Sequence, residues 1–185
     1  MYDRRVKEDH IGRTLARAGI QLTDASTLEV VGRLHRVVSY IDDFLTDAFN
    51  QLGLKQGEVE VLLTLALGSG EPESPTSVAS QLLCSTGAMT NRLDRLEKAG
   101  LLKREHGTQD RRSILLSITP AGRNAAKRAA AARDALSDKL VPGLTVADRK
   151  LLVGLLRRML VAFESGADDG DAPRTSSVAA KRDRE

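Results

Sequence analysis

The sequence predicts a mainly α-helical fold with one small β-hairpin. Aromatic residues make up only 3% of the 185 residues and tryptophan is absent. The core must therefore be built from Leu, Val, Ile and Ala, which suit helices better than sheets. Over most of the chain, apolar residues recur at three- and four-residue steps, the period of an amphipathic helix. One charged loop separates two short strand-like runs, which predicts the hairpin.

The apolar pattern divides the chain into five segments. They are an N-terminal arm or short extra helix (1–22), a long helix (23–54), a central lobe (55–119), C-terminal helices (120–164) and a disordered tail (165–185). The family resemblance described below implies that the segments 23–54 and 120–164 are dimerisation helices. The long helix would run roughly 40 Å. Because this is long for a chain of this size, we expect part of it to pack against a second subunit. The tail combines Gly, Asp, Ser and charged residues, a composition typical of disorder.

Capping residues predict where the later helices begin. Ser74–Pro75 combines an N-cap hydroxyl with a proline at the first helical position, and Thr119–Pro120 repeats this arrangement. The Ala-rich helix that follows is expected to continue through Leu140, before a Pro-Gly break. Thr145, with Asp148 three residues later, opens the last helix.

The central lobe has the order of a winged helix-turn-helix, in which two short helices joined by a tight turn precede a two-stranded wing. The predicted elements are helices 55–67, 75–83 and 86–99, followed by strands 101–104 and 114–118. In such a domain the helix after the turn, here 86–99, enters the major groove of DNA. Met89, Leu93 and Leu96 recur at i, i+4 and i+7 and are expected to face the core.

The opposite face of helix 86–99 is expected to face DNA. At about 100° per residue, this face holds Gly87, Asn91, Asp94, Arg95 and Lys98, with Thr90 at its edge. The residues at the amino end of the helix are small, namely Thr86, Gly87 and Ala88. We expect them to let the helix enter the groove without collision.

The side chains on this face suit different parts of DNA. Asn91 is suited to a bidentate bond with an adenine edge, and Thr90 to a base or a thymine methyl group. Arg95 and Lys98 are better placed for phosphates, which fix orientation and do not read sequence.

Arg111 and Arg112 lie at the tip of the predicted hairpin. An arginine on a narrow tip suits the minor groove, whose negative potential deepens where the groove narrows. Asp110 is expected to brace one of these arginines inside the wing, since DNA would repel it if it pointed outward. Residues 86–112 contain seven basic and four acidic side chains, so this segment carries +3, the formal net charge of the whole chain. Such a concentration of positive charge is typical of a nucleic-acid-binding surface.

The segments STGAMTNRLDRLEKAGLLKRE and QDRRSILLSITPAGR resemble the MarR family of regulators. The resemblance covers roughly residues 25–163, and its most specific part is the wing signature Asp110-Arg111-Arg112. It implies a winged-helix fold dominated by helices, a dimer built from the first and last helices, and a palindromic site in double-stranded DNA. The DNA contacts that it implies are Thr86, Gly87, Ala88, Thr90, Asn91 and Arg95, with Arg112 in the minor groove. The chain departs from the family at Lys55, where a Ser or Thr often caps the second helix.

Within the family, the GAMTNRLDRLE stretch and the long first helix look most like the branch of urate- and aconitate-responsive regulators. That branch commonly stacks urate on a tryptophan in an extra N-terminal helix, and this chain contains no tryptophan. Glu60 stands at the acidic position that the branch uses. The resemblance implies a small anionic or aromatic effector that releases a repressor from DNA.

Three residues admit two interpretations each. His35 either lines an effector crevice or is a core or solvated histidine, which is the more frequent case. Glu60 either faces that crevice or pairs with a neighbouring basic side chain, and the sequence favours neither. Cys84 is a redox switch or a small buried residue, and its place in the turn before helix 86–99 favours the latter.

The lobe as a whole also admits alternatives to a sequence-specific regulator. One is a nonspecific architectural DNA-binding protein of the same fold, and another is a protein-interaction module. Uniform protection of DNA at low salt would favour the first, and no DNA binding by the dimer would favour the second.

The composition excludes several other classes of protein. The three histidines lie in unrelated segments and no glycine-rich phosphate loop is present, so we expect no catalysis, cofactor or metal ion. A single cysteine rules out a disulfide within the chain. No run reaches the roughly 18 apolar residues of a membrane span, and the charged start lacks a signal peptide's apolar run. The sequence therefore predicts a soluble cytoplasmic protein.

Overall fold

The computed structural model describes residues 9–19, 27–68, 70–107 and 112–168. The helices are α1 (His10–Arg17), α2 (Thr27–Asn50), α3 (Gln56–Leu67), α4 (Pro75–Gln81), α5 (Thr86–Lys98), α6 (Pro120–Ala135), α7 (Ser137–Leu140) and α8 (Val146–Asp168). The strands are β1 (Leu102–His106) and β2 (Ile114–Ile118). The chain divides into two compact units, Met1–Phe44 and Leu45–Glu185. This architecture has the predicted mainly helical character and the predicted hairpin.

The first unit contains an extra helix, α1, attached to the beginning of α2. Asp9 caps α1 by accepting a hydrogen bond of 2.8 Å from the backbone N–H of Gly12, and Arg33 of α2 donates to the same carboxylate at 2.8 Å. The hydrogen bond from Gly12 and the contact with Arg33 together hold the pKa of Asp9 below its ordinary value. Ile11 packs on α2 beside Gly32, where a Cβ would lie 3.5 Å from Cγ2 of Ile11, an ordinary van der Waals distance. Of the two alternatives for the N-terminal segment, residues 10–17 thus form the helix.

The core of the second unit lies between α3, α5, α6 and the hairpin. Its largest fully buried side chains are Val59, Val61, Leu62, Val78, Met89, Leu96, Leu102 and Leu116. Burying a side chain of this size contributes about 1.5–3 kcal/mol. Met89, Leu93 and Leu96 are all buried, which agrees with the inward face predicted for α5.

The hairpin is antiparallel, with Leu102 opposite Ile118 and His106 opposite Ile114. Glu73 forms an isolated antiparallel bridge with Leu116 of β2. Its N–H donates to the carbonyl of Leu116 at 3.2 Å, and its carbonyl accepts from the N–H of Leu116 at 2.7 Å. β1 extends to His106, two residues past the predicted end at 104. The reason is that backbone pairing with β2 continues through the exposed polar residues, which in the sequence read as loop.

A single threonine fastens the hairpin to α6. The Thr119 hydroxyl donates to the carbonyl of Gly100 at 2.8 Å and accepts the N–H of Gly122 at 3.0 Å, so it is the predicted N-cap of α6. Gly122 is buried in the first turn, and a Cβ there would overlap the backbone carbonyl of Leu101. The helix therefore approaches the start of the hairpin more closely than any other residue type would allow.

The Ala-rich helix is shorter than predicted. α6 ends at Ala135, and the single-turn helix α7 follows it, so the expected continuous helix through Leu140 is wrong. At the break, the N–H of Leu136 bonds three residues back to Arg133, at 3.0 Å. This tighter i to i−3 bond interrupts the α-helical ladder, and neither proline nor glycine marks the position in the sequence.

The last helix begins as predicted and ends later. Thr145 and Asp148 cap it reciprocally, with the Thr145 N–H donating to the carboxylate at 2.9 Å and the Asp148 N–H donating to the hydroxyl at 3.2 Å. The hydroxyl also donates to this carboxylate, and the two bonds from Thr145 lower the pKa of Asp148. The helix continues to Asp168, past the expected boundary at 164, because extending a formed helix costs little even in a polar sequence. The rest of the predicted tail lies outside the described residues.

Two long helices keep large apolar side chains exposed. On α2 these include Leu28, Val31, Val37, Val38 and Phe44, and on α8 they include Leu151, Leu155, Leu160, Val161 and Phe163. Among the residues that the structure describes, no helix is both long and apolar enough to cross a membrane.

Candidate nucleic-acid interface

Helices α4 and α5 form a helix-turn-helix with a hydroxyl cap at each start. Ser74 accepts from the N–H of Ser77 at 3.1 Å, which confirms the predicted cap of α4. Ser85 accepts from the N–H of Ala88 at 3.3 Å and caps α5. Between them Leu83 takes a left-handed conformation with φ of 48°. A residue with a Cβ is strained there, so the tight turn is obtained at a cost.

Helix α5 has one buried and one exposed face. Its buried residues are Ala88, Met89, Arg92, Leu93 and Leu96. Its exposed residues include Thr86, Gly87, Thr90, Asn91, Asp94, Arg95 and Lys98. Every side chain expected on the outward face is therefore accessible. Ala88, which the family resemblance places among the DNA contacts, turns its side chain towards the core.

The outward face combines an open amino end with polar groups further along. A Cβ on Gly87 would meet no atom within 4 Å, so the surface around this position is open. The Thr90 hydroxyl donates to the carbonyl of Thr86 at 2.9 Å. Its single proton is thereby engaged, and Thr90 offers a partner only its acceptor lone pairs and its methyl group.

Two acidic groups on α5 form ion pairs with one strand residue. Arg104 of β1 lies 2.7 Å from the carboxylate of Asp94 and 3.3 Å from that of Glu97. The backbone N–H of Arg104 also donates to Glu97, at 3.3 Å. These bonds join the hairpin to α5, and the single positive charge of Arg104 compensates one of the two negative charges. Lys98 and Lys103 are exposed on the same lobe.

The tip of the wing is only partly described. Arg112 is exposed at the start of the segment that leads into β2. Asp110 and Arg111 lie outside the described residues, so the expected brace within the wing stays a prediction.

The first turn of α3 packs against α5 through two ion pairs. Arg95 Nε lies 2.7 Å from Glu58 Oε1, and Arg92 Nη1 lies 3.5 Å from Glu60 Oε2. Arg92 is buried because α3 has Gly57 at the contact, where a Cβ would overlap the guanidinium. Glu60 therefore pairs with a neighbouring basic side chain, that of Arg92, which is one of its two expected alternatives.

Lys55 is the N-cap residue of α3, but its side chain does not cap the helix, since an ammonium group has no acceptor. Instead its backbone N–H donates to Glu58 Oε2 at 2.9 Å. A cleft of about 310 Å³ lies between this turn and α5, and its walls include Asn91 and Arg95. Sequence reasoning missed Glu58, although its place three residues after the cap position was a usable signal.

The two remaining candidate residues lie elsewhere. His35 is an exposed residue of α2 in the first unit, and its carbonyl accepts from Ser39 at 3.0 Å. Cys84 is half-buried in the turn before α5. Within the described parts of the chain, no group of three or more His, Cys, Asp or Glu residues is placed to hold a metal ion.

Comparison with known proteins identifies this lobe. The family model described as "MarR family" matches residues 56–114, the stretch from α3 to the start of β2. The lobe is therefore similar to the MarR family over these residues. The predicted fold class is thereby confirmed. The predicted DNA contacts are not tested by this match.

Curated relatives of this lobe are regulators of transcription. The chain is 36% identical over 100 residues to the HTH-type transcriptional regulator PecS of Dickeya dadantii, covering 54% of this chain and 60% of the relative. It is 28% identical over 100 residues to the HTH-type transcriptional repressor YetL of Bacillus subtilis, with the same two coverages. The chain thus spans about 60% of the length of these relatives.

Solved structures extend the likeness beyond the lobe. The apo form of wild-type MarR from E. coli is 26% identical with a TM-score of 0.61, covering 70% of this chain and 96% of that one. A mutant MarR from E. coli complexed with operator DNA is 24% identical with a TM-score of 0.64, covering 74% and 99%. The S. aureus MepR–DNA complex is 19% identical with a TM-score of 0.64, covering 77% and 99%. The last two show a shared fold.

Proposed function

We propose that the chain is a homodimeric, sequence-specific DNA-binding regulator of transcription, and a repressor that a small-molecule effector releases. The observation that carries the proposal is the lobe similar to the MarR family, in which α5 buries one face in the core and exposes the other. Two structures of the same fold are complexes with DNA. The name of one relative, a transcriptional repressor, supports the direction of control.

In this proposal α5 lies in the major groove. Asn91 and Thr90 contact base edges, Arg95 and Lys98 contact phosphates, and the wing places Arg112 in the adjacent minor groove. The exposure of these five side chains supports the assignment. The ion pairs of Arg104 with Asp94 and Glu97 support it as well, because one positive charge beside the two carboxylates reduces their repulsion of the phosphates.

The proposed partner of the exposed apolar side chains on α2 and α8 is a second copy of the chain. Monomeric proteins rarely leave contiguous apolar surface of this kind in water. A two-fold dimer presents two recognition helices, which fits a palindromic site with half-sites about one helical turn apart. Sedimentation tests this part, and a monomer at micromolar concentration would contradict it.

The proposed effector is a small anionic or aromatic molecule, and this part rests on the resemblance to the urate- and aconitate-responsive branch. The absence of tryptophan argues for a ligand other than urate. A ligand releases DNA only if it binds the DNA-free arrangement more tightly than the bound one. A screen of aromatic acids for loss of DNA binding tests it.

The decisive experiment is selection of bound sequences from random DNA, followed by footprinting. A discrete palindrome supports the proposal, whereas uniform protection at low salt favours the nonspecific architectural alternative. Asn91→Ala should relax preference at particular base pairs by about 1–3 kcal/mol. Arg112→Ala should weaken binding with less change in major-groove preference, and unchanged affinity would refute the minor-groove assignment.

A further inference from the structure

Glu58 is a buried carboxylate at the junction of α3 and α5. Its side chain is only 5% exposed. One oxygen accepts the backbone N–H of Lys55 at 2.9 Å, and the other lies 2.7 Å from Nε of Arg95. A carboxylate is costly to bury unless its oxygens are paired, and both are. The residue therefore ties the recognition helix to the first turn of α3.

The guanidinium of Arg95 is bound to Glu58 on one side and exposed on the other. The Arg95 side chain is 54% exposed although its Nε faces the buried carboxylate. Asn91, one helical turn earlier, lines the same cleft as Arg95. A guanidinium carries five N–H donors in a rigid plane, so fixing Nε also fixes the direction of the whole group.

We infer that Glu58 is a positioning residue for DNA recognition, which holds the Arg95 guanidinium in the orientation that meets a backbone phosphate beside Asn91. The inference rests on the proposed function, in which Arg95 is a phosphate contact. A free arginine loses much side-chain freedom when it is immobilised on a ligand. An arginine already held by a buried carboxylate has lost part of that freedom on folding, so binding the phosphate costs less.

Electrostatics alone predicts the opposite effect of Glu58 on DNA binding. A carboxylate near the phosphate backbone repels it, so removing this charge should tighten binding to any DNA. Positioning predicts that the same change weakens binding to the specific site. Only there do the base contacts of Asn91 and Thr90 hold α5 in one register, so that one phosphate must meet the guanidinium of Arg95 at a fixed direction. Without that register, Arg95 can meet any nearby phosphate. The sign of the effect on the specific site therefore separates the two.

The test compares Glu58→Gln, Arg95→Ala and the double variant on the selected duplex and on a scrambled duplex. Glutamine keeps an oxygen that accepts the Lys55 N–H but loses the charge that faces Arg95. We expect Glu58→Gln to reduce the ratio of specific to nonspecific affinity roughly tenfold, the factor that corresponds to one charge-assisted hydrogen bond. In the Arg95→Ala background the same substitution should leave the ratio unchanged.

The matched control is Glu105→Gln, which removes an equal charge from an exposed position of β1. It should raise affinity for both duplexes by the same factor and leave the ratio as it is. Circular dichroism and melting temperature monitor the fold of every variant.

Several results would overturn the inference. If Glu58→Gln raises both affinities equally, as the control does, its effect is that of charge alone. A loss of the same size on both duplexes, together with a lower melting temperature, would show a purely structural residue. A penalty that persists in the Arg95→Ala background would show that Glu58 acts through another group. A wild type that binds both duplexes equally would overturn the proposed function itself, before any variant is compared.

Discussion

Gly122→Ala should destabilise the second unit, although alanine is the better helix former. Gly122 is buried in the first turn of α6, and a Cβ there would overlap the carbonyl oxygen of Leu101 and lie 2.9 Å from Cγ1 of Ile118. The carbonyl belongs to backbone that also accepts from Thr119, so it does not yield as the end of a flexible side chain would. Overpacking of this kind costs about 1–3 kcal/mol.

For a chain of this length, a loss of 1–3 kcal/mol corresponds to a fall in melting temperature of about 2–12 °C. The control is Gly87→Ala, which also lies in the first turn of a helix but has no atom within 4 Å of its new Cβ. It should leave the melting temperature unchanged or raise it. Thermal denaturation followed by circular dichroism measures both. If Gly122→Ala melts at or above the wild-type temperature, the close approach of α6 to the hairpin is not as described.

Three further substitutions test other parts of the fold. Leu83→Gly should raise the free energy of unfolding by about 1 kcal/mol, because it removes the Cβ from a left-handed position; an unchanged denaturant midpoint would count against this strain. Thr119→Val should lower the free energy of unfolding by about 1–2 kcal/mol, because the hydroxyl caps α6 and bonds to Gly100. Thr119→Ser keeps the hydroxyl and should retain most of the stability. Asp9 has a lowered pKa, so its contribution to the docking of α1 is present above the ordinary value of 3.8 and is lost as the pH falls through the lower folded value. The protection of the α1 amides, which is the exchange rate relative to the intrinsic rate at each pH, should therefore fall in acid for the wild type and depend less on pH in Asp9→Asn; equal pH dependence in the two would contradict this role.

Local patterns in the sequence were sufficient to predict α5 and its two faces. Met89, Leu93 and Leu96 follow the helical period, and the structure buries all three. The caps at Ser74 and Thr119 were equally visible, because a hydroxyl followed by proline favours one position in a helix. These features depend on residues within a few positions of one another.

Features that depend on distant residues were not predictable in the same way. Arg92 follows the inward period of α5, yet an arginine is rarely buried, and the space for it comes from Gly57, which is 35 positions earlier. The pairing of Glu58 with Arg95 likewise joins two helices. The break at Leu136 was missed because no residue there is a strong helix breaker. Each of these features depends on three-dimensional packing, which a local sequence pattern does not reveal.

The division of α5 into two faces has a consequence for how such a protein changes over time. The residues that hold the helix in the core and the residues proposed to read DNA alternate along the same thirteen positions, but they are different residues. A substitution at an exposed position can alter the preferred DNA sequence without opening a cavity, so new target genes can be acquired without a loss of stability. For the same reason, a library intended to redirect the protein to another operator should vary only the outer positions Thr86, Gly87, Thr90 and Asn91.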